Sequence, residues 1–110
     1  MNSDFMRHSE IAPLVAQCTG FEWDAGNSGK NWESHKVSDR ESEEVFDNAP
    51  LMFRDDTRHS MLESRYIALG KTDGNRLVSN VFTIRENLIR IISSQDMSRS
   101  NRRTYGTTPA

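Results

Sequence analysis

The sequence predicts an α+β fold in which a small antiparallel sheet carries two N-terminal helices and one C-terminal basic helix. Four short strand-like segments lie between residues 51 and 95, and the last two are rich in β-branched residues, as is typical of strands. Helix-starting and helix-ending patterns flank these segments on both sides. The segment FEWD, residues 21–24, is predicted to be a short strand or a core-anchoring segment before the helices. The resulting order, β-α-α-β-β-β-β-α, predicts helices packed against one face of the sheet.

The composition predicts one domain with a modest core. Hydrophobic residues make up 35% of the 110 positions and charged residues 27%. No apolar run approaches the roughly 18 residues that span a membrane, and we expect no secretory signal. Cys18 is the single cysteine of the sequence, which rules out an internal disulfide and fits a reducing cytoplasm. We therefore expect a cytoplasmic protein that does not act at a membrane.

The charges are distributed unevenly along the chain. The net charge is −2, but residues 39–63 contain eight acidic and three basic residues, whereas residues 64–103 contain eight basic and three acidic ones. The second region predicts a local basic face on a mildly acidic protein. Such a face suits an anionic partner such as a nucleic acid, although solvated surface without a partner would show the same pattern.

The N-terminal segment is predicted to be an extension of the domain or a short helix. It covers residues 1–20, contains the apolar stretch IAPLVAQC, and has Pro13 at a position that suits a first helical turn. Residues 1–9 are expected to be frayed. The domain itself is expected to cover residues 21–106, and residues 107–110 are expected to be a loose tail.

Two helices are predicted before the main strands. The first covers residues 27–36, with Asp24 or Asn27 as its cap. The second begins at Ser38, because SDRE matches a capping box in which serine is followed three residues later by glutamate. Pro50 limits this second helix, since proline disfavours helical geometry in the residue before it.

The remaining elements are strands and a basic helix. Strands are predicted at residues 51–54 and 65–69, on either side of a polar loop that contains His59. After a hairpin, residues 97–105 are predicted to form a basic helix with Ser98 as its N-cap.

A β-hairpin at residues 76–95 is the central element of the prediction. If Glu86 and Asn87 form a two-residue turn, apolar side chains gather on one face and arginines on the other, because side chains alternate along a strand. That register pairs Arg85 with Leu88, Thr83 with Arg90 and Phe82 with Ile91. The apolar set is Val78, Phe82, Ile84, Ile89 and Ile91, and the polar set is Thr83, Arg85 and Arg90, with Leu88 and Ile92 beside it. A three-residue turn would mix the two sets, so the segregated register is favoured although the turn lacks glycine.

Arginines, with histidines nearby, are the residues best suited to carry chemistry. The histidines and carboxylates lack the spacing of a zinc or di-metal centre, and the glycines lack the pattern of a phosphate-binding loop. Arginines on a sheet suit metal-independent RNA cleavage, in which the 2′-hydroxyl attacks its own phosphate and guanidinium groups stabilise the developing charge. A histidine would assist proton transfer. The same residues would equally bind RNA, DNA or an acidic protein without catalysis.

Seven segments occur in order between about Phe21 and Tyr105: FEWDAGN, KNWESHKVS, EEVF, RYIALGKTD, VFTIR, LIRIIS and DMSRSNRR. Together they resemble the BrnT family of ribonuclease toxins, from bacterial type II BrnT–BrnA toxin–antitoxin modules. The resemblance implies a RelE-like fold, an endoribonuclease activity that inhibits translation, and neutralisation by a BrnA-like ribbon-helix-helix antitoxin. It implies no cofactor, and contact with DNA only indirectly through the antitoxin.

The resemblance also implies functional positions. Arg85 and Arg90 would contact the RNA phosphate, and His59 or His35 would transfer protons. RNA would be bound by further basic residues, namely Arg65, Lys36, Arg99, Arg102 and Arg103. His35 also has a purely structural interpretation, as a histidine favoured by the dipole at a helix C-terminus.

Three positions depart from the family pattern. Ser34 replaces a lysine expected before His35, Glu86 replaces the usual glycine of the hairpin turn, and Gln95 replaces an arginine expected after the last strand. Loss of one charge-stabilising donor costs about 10²–10³-fold in rate. The alternative hypothesis is therefore a catalytically attenuated BrnT-like module that acts by binding its antitoxin and repressing its operon.

Overall fold

The computed structural model describes residues 7–56 and 63–107, and its helices and strands confirm the α+β class. In chain order they are α1 (His8–Ala16), β1 (Gly20–Phe21), α2 (Lys30–His35), α3 (Asp39–Glu44), a 3₁₀ turn (Val45–Asp47), β2 (Met52–Asp55), β3 (Tyr66–Lys71), β4 (Leu77–Arg85), β5 (Leu88–Asp96) and α4 (Arg99–Gly106). No helix in these two ranges has the length and apolar character that crossing a membrane requires.

The five strands of the described residues form one mixed sheet in the order β1-β5-β4-β3-β2. β1 runs parallel to β5, whereas the other neighbouring pairs are antiparallel. The prediction of a purely antiparallel sheet is therefore wrong at this edge. Parallel pairing needs a long connection, which the intervening helices and strands supply before β5 lies beside β1.

Three helices precede β2, namely the two predicted helices and α1, which is the short helix that is one of the two interpretations of residues 1–20. α1 begins at His8 and buries Ile11 completely in the main core. The expected frayed segment is wrong for His8 and Ser9, while residues 1–6 lie outside the described part of the chain. Phe53 N, in β2, donates a hydrogen bond of 3.0 Å to His8 Nδ1, so the start of α1 is tied directly to the sheet.

The hairpin of β4 and β5 has the predicted register. The pairs are Arg85 with Leu88, Ile84 with Ile89, Thr83 with Arg90 and Phe82 with Ile91. Glu86 and Asn87 have φ angles of 51° and 63°, as a primed two-residue turn requires. The register then shifts, because Val81 pairs with Ser93, and this leaves Ile92 as the extra residue of a bulge.

The apolar face of the hairpin, which we call the core face, holds the main core. Val78, Phe82, Ile89 and Ile91 are buried there as predicted, and Ile84 packs against them partly buried. Side chains from elsewhere in the chain complete this core, including Ile11, Val37 and Val45. The segregated pattern of the sequence is therefore explained by burial of one hairpin face.

A buried polar network ties α2 and α3 to the core face. Asn80 Nδ2 donates to the Ser42 carbonyl oxygen at 2.9 Å, and the Ser42 and Ser94 hydroxyl oxygens are 2.6 Å apart. Ser94 N donates to Asn31 Oδ1 at 2.9 Å, so α2 is fixed against β5. These bonds satisfy polar groups whose burial would otherwise be costly.

The opposite face, which we call the arginine face because Arg85 and Arg90 lie on it, is partly covered by α4. Leu69, Met97 and Tyr105 form a second buried cluster there. The prediction that all helices pack on one face is therefore wrong for α4. Apolar side chains of β3 project from both faces of the sheet, so both faces need cover. The start of α4 is as predicted, because the Ser98 hydroxyl accepts a hydrogen bond from Asn101 N.

Candidate functional site

The half of the arginine face formed by β1, β5 and β4 lies beyond the apolar cluster under α4 and carries arginines and carboxylates. We call this group the arginine cluster; it comprises Arg65, Arg85, Arg90, Glu22, Asp24 and Glu63. Arg85 donates from Nε and Nη2 to the two carboxylate oxygens of Glu63, at 3.1 and 2.9 Å. A guanidinium binds phosphate with the same two-point geometry. The Arg85 side chain is 46% exposed and is thus accessible to a ligand.

Arg90 is held more firmly than Arg85. Its Nη1 donates to Glu22 Oε1 at 3.1 Å and to Asp24 Oδ2 at 3.0 Å, and its Nη2 donates to Asp24 Oδ1 at 3.0 Å. Its side chain is 14% exposed. Arg90 is therefore fixed between two carboxylates whose combined charge exceeds its own.

The ion pairs shift the pKa values of the residues that form them. The hydrogen bond from Arg90 lowers the pKa of Asp24, and the hydrogen bond from Arg85 lowers the pKa of Glu63. In return, the hydrogen bond to Glu63 raises the pKa of Arg85, and the hydrogen bond to Asp24 raises the pKa of Arg90. Asp24 and Glu63 are therefore ionised at neutral pH.

Asn27 positions the loop that brings Asp24 to Arg90. Its Nδ2 donates to the carbonyl oxygens of Glu22 and Ile91, both at 3.0 Å, and its Oδ1 accepts a hydrogen bond from Asp24 N at 2.9 Å. Asn27 is buried, and α2 begins after Gly29 without a side-chain cap. The prediction that Asp24 or Asn27 caps this helix is therefore wrong, because Asn27 instead fastens the loop to β5.

Gly26 allows the loop to lie directly against the guanidinium of Arg90. Its backbone N donates to Asp24 Oδ1 at 2.7 Å. A Cβ atom at this position would lie 2.9 Å from Arg90 Nη2 and 3.0 Å from Asp24 Oδ1. Glycine is therefore required at position 26, in the FEWDAGN segment, because the loop lies too close to Arg90 for a side chain.

The segment that leads into β3 brings Glu63 and Arg65 to the cluster. Thr83, which is 2% exposed, donates from its hydroxyl to the Ser64 carbonyl oxygen at 2.7 Å. On the other side, Asp56 N donates to the Arg65 carbonyl oxygen at 2.9 Å. The charge of Arg65 contributes to the lowered pKa of Glu63. Thr83 is therefore a structural residue of the site. Alternation along the strand placed it on the arginine face, but the sequence did not indicate its hydrogen bond to Ser64.

His35 and Lys36 lie at the opposite end of β5 from Arg90. Arg76 donates from Nη2 to the His35 carbonyl oxygen at 3.2 Å and from Nη1 to the Lys36 carbonyl oxygen at 2.7 Å. Its Nε also pairs with Asp96 Oδ1 at 2.8 Å. Asp96 lies six residues beyond Arg90, or about 20 Å along the strand. The structure therefore does not bring His35 or Lys36 into the arginine cluster.

α4 carries the other arginines predicted to bind RNA. Arg99, Arg102 and Arg103 are all exposed on it, and Arg102 Nε donates to the Met97 carbonyl oxygen at 3.2 Å. Because α4 packs on the arginine face, these residues lie on the same side of the sheet as the arginine cluster.

Three other predictions concern His59, Gln95 and metal ions. His59 falls within residues 57–62, outside the described residues. Gln95 lies inside β5, exposed, and pairs with Ser79. Within residues 7–56 and 63–107, no three or more histidine, cysteine or acidic side chains are grouped so as to hold a metal ion.

A small α+β domain with arginines clustered on one sheet face has the character of a protein that binds an anionic ligand. The chain matches the family model for "Ribonuclease toxin, BrnT, of type II toxin-antitoxin system" over residues 23–101. Because the match covers more than half of the chain, the chain belongs to the BrnT family of ribonuclease toxins. This confirms the family resemblance, and membership implies an antitoxin partner. A comparison with curated proteins found no match.

Proposed function

We propose that this chain is an endoribonuclease toxin that cleaves RNA without a metal ion at the arginine cluster. The observation that carries the proposal is the exposed guanidinium of Arg85 on the arginine face, in a chain of a ribonuclease toxin family. Arg65 and Arg90 add positive charge beside it. A phosphate that binds next to Glu63, or in its place, would meet several aligned N–H donors.

The proposed reaction is attack of an RNA 2′-hydroxyl on the adjacent phosphate. The phosphorane formed in this step carries additional negative charge, which preorganised guanidinium groups stabilise more strongly than the ground state. Arg85 would contact the phosphate, and Arg90 would supply a fixed charge behind it. A histidine, His59 or His35, would assist proton transfer.

Further basic residues are proposed to guide the RNA. Arg65 would contact the backbone beside the reacting phosphate, and the arginines of α4, Arg99, Arg102 and Arg103, would extend the positive surface on the same side of the sheet. Lys36, at the other end of β5, would contact a more distant part of the strand.

The proposed cellular role follows from RNA cleavage. Cleavage in the cytoplasm would stop translation, and a BrnA-like ribbon-helix-helix antitoxin would neutralise the toxin. The partner is supported by the family, whose members belong to type II toxin–antitoxin systems. DNA would be contacted by the antitoxin, and the toxin would reach it only through that complex.

The test compares Arg85→Ala with wild type in cleavage of cellular RNA by purified protein in the presence of EDTA. We expect the variant to lose about 10²-fold or more in rate, because one charge-stabilising donor is removed. Its fold should remain intact, since Arg85 is exposed. Arg40→Ala is the control, because Arg40 is an exposed arginine of α3 that likewise forms an ion pair, with Glu44 at 3.3 Å, but lies outside the arginine cluster.

Arg40→Ala should cleave like wild type. Cleavage by Arg85→Ala at the wild-type rate would remove Arg85 from the mechanism. Loss of wild-type cleavage on adding EDTA would contradict metal independence.

An attenuated binding module is the second candidate function. It is favoured by one observation, that Arg85 and Arg90 already bind carboxylates of their own chain. Gln95 stands where the family resemblance predicts an arginine, and it supports the same hypothesis of an attenuated module. A module of this kind would bind the antitoxin and repress its operon while cleaving RNA slowly. Absence of cleavage by wild type, together with tight antitoxin binding, would favour it.

A further inference from the structure

We infer that Glu63 is the general base that removes the proton from the attacking 2′-hydroxyl, an inference that rests on the proposed ribonuclease function. The carboxylate lies beside Arg85, and 34% of its side chain is exposed. The two histidines of the described residues lie elsewhere, because His8 binds Phe53 N and His35 lies beside Arg76. A carboxylate is thus the basic group that the structure places next to the phosphate-binding arginine.

Arg85 determines where a phosphate would lie relative to Glu63. Glu63 occupies Nε and one hydrogen of Nη2, and Glu22 Oε1 lies 3.7 Å from Nη1, beyond hydrogen-bonding distance, so the described residues leave hydrogens of Nη1 and Nη2 for a ligand. A phosphate on those donors would lie next to the carboxylate. The 2′-hydroxyl of the adjoining ribose would then be within hydrogen-bonding reach of a Glu63 oxygen, as general base catalysis requires.

The other two carboxylates of the arginine cluster have a different arrangement. Asp24 accepts from both terminal nitrogens of Arg90, and Glu22 accepts from the same guanidinium. These two carboxylates take up donors of Arg90 in three hydrogen bonds, whereas Arg85 donates to Glu63 alone and has Glu22 farther away, at 3.7 Å. The positive charges of Arg85, Arg65 and Arg90 all act on Glu63. An RNA phosphate is therefore attracted to the side of the cluster where Glu63 lies.

Glu63 is also in the correct state to accept a proton. The carboxylate is ionised at neutral pH, and the hydrogen bond from Arg85 lowers its pKa, which keeps it charged but makes it a weaker base. A carboxylate has about four acceptor positions on its two oxygens, and Arg85 occupies one position on each. At least one position is left for the hydroxyl of the substrate.

In the proposed reaction, Glu63 takes one proton from the RNA and later gives it up to hydroxide. The 2′-hydroxyl proton passes to a Glu63 oxygen while the 2′-oxygen forms a bond to phosphorus. The bond between phosphorus and the 5′-oxygen then breaks, and the electron pair leaves with the 5′-oxygen, which takes a proton from water. The hydroxide that remains takes the proton from Glu63. The products are a 2′,3′-cyclic phosphate and a 5′-hydroxyl.

The test compares Glu63→Gln with wild type on a 5′-labelled messenger RNA transcript, under single-turnover conditions. We expect the cleavage rate to fall about 10²-fold or more, because the amide keeps the shape of the side chain but is not a base. Binding of a 2′-O-methylated RNA of the same sequence, which cannot be cleaved, should stay equal or become tighter because a negative charge is removed. Glu44→Gln, which removes a carboxylate from the Arg40 pair of α3, should cleave normally.

The alternative roles of Glu63 predict different results. A cleavage rate equal to or above that of wild type would show that Glu63 only competes with phosphate for Arg85. A parallel loss of cleavage and of binding to the methylated RNA would show that Glu63 only positions Arg85. Wild-type protein that fails to cleave would overturn the proposed function itself, and the base assignment with it.

A second variant covers the case in which Glu63→Gln does not fold. Glu63→Ala opens space beside Arg85 for a small carboxylate added to the solution. Cleavage should be partly restored, and acetate should restore more than formate because it is the stronger base. Equal restoration by both, or none, would contradict a proton-accepting role.

Discussion

Arg85 and Arg90 are the same residue type on the same sheet face, yet their neighbours give them different roles. Arg90 makes three hydrogen bonds to two carboxylates and is 14% exposed, so it is a fixed charge. Arg85 makes a two-point hydrogen-bonded contact with Glu63, has Glu22 Oε1 at 3.7 Å from its Nη1, and is 46% exposed. An exposed ion pair contributes about 0–1 kcal/mol, so a phosphate can share or replace the contact with Glu63 at little cost.

Gly26→Ala is expected to disturb the site without unfolding the protein. The added Cβ would lie 2.9 Å from Arg90 Nη2 and 3.0 Å from Asp24 Oδ1, so the ion pair must shift. Both neighbours are ends of side chains, so the loss of stability should stay below about 1 kcal/mol. Cleavage should fall about tenfold or more, because the fixed charge moves relative to Arg85. Urea unfolding and the RNA cleavage assay measure the two effects.

Gly106→Ala is the control for this substitution. Gly106 lies at the end of α4, and a Cβ there would have no heavy-atom neighbour within 4 Å among the described residues. Gly106→Ala should leave the rate of RNA cleavage unchanged. Normal cleavage by Gly26→Ala would show that the geometry of Arg90 does not matter to the reaction.

The β4–β5 hairpin places the arginines, and its turn contains strain that a substitution can relieve. Glu86 has φ of 51°, in the left-handed region that costs most side chains about 1–2 kcal/mol. Asparagine adopts this region more readily, so Glu86→Asn should stabilise the fold by about 0.5–1 kcal/mol. The melting temperature should rise by a few degrees, about 2–6 °C. Thermal unfolding followed by circular dichroism measures this change.

Glu86→Ala separates backbone strain from charge. Alanine removes the carboxylate but keeps a Cβ and gains no local hydrogen bond, so it should give no increase in melting temperature. An equal increase in both variants would show that the charge beside Arg85, and not the φ angle, determines the effect.

Elements that are determined by residues close together in the sequence were predictable from it. The hairpin register followed from alternation of apolar and polar residues, and the α3 start followed from a capping box that the structure shows between Ser38 and Glu41. The parallel pairing of β1 was not predictable, because a two-residue strand has no period of its own. The position of α4 was not predictable either. Apolar side chains of β3 are buried on both faces of the sheet, so the sequence pattern does not show which face a helix covers.

At the scale of the whole molecule, the site was predictable only in part. The arginines of one face were found from period-two alternation, and the charge pattern indicated a basic region. The carboxylates that hold Arg90 come from a loop 66 to 68 positions earlier in the chain. Their placement depends on the buried amide of Asn27, a long-range contact for which a single sequence carries no periodic signal.

Acid should destabilise the folded protein because arginines lower the pKa values of several carboxylates. Among the described residues these are Asp24 beside Arg90, Glu63 beside Arg85 and Asp96 beside Arg76. Each contributes stability that is complete above the pKa of the unfolded chain, about 4, and is lost as the pH falls through the lower folded pKa. Asp55 acts in the opposite direction, because burial and the charge of Asp56 raise its pKa. Among the described residues, three carboxylates therefore favour folding less as the pH falls, and one favours it more.

Asp96→Asn tests how one carboxylate with a lowered pKa contributes to stability at a position outside the arginine cluster. The melting temperature of wild type should be nearly constant from pH 7 to about 5 and should fall below about pH 4. The variant should melt lower at pH 7, because Arg76 keeps Glu41, at 3.3 Å, but loses its hydrogen bond to a charged Asp96. The difference between the two proteins should shrink as the pH falls below about 4 and should disappear once Asp96 of the wild type is protonated. Melting curves that stay parallel over the whole range would show that the loss in the variant is not electrostatic, and that acid acts through other groups.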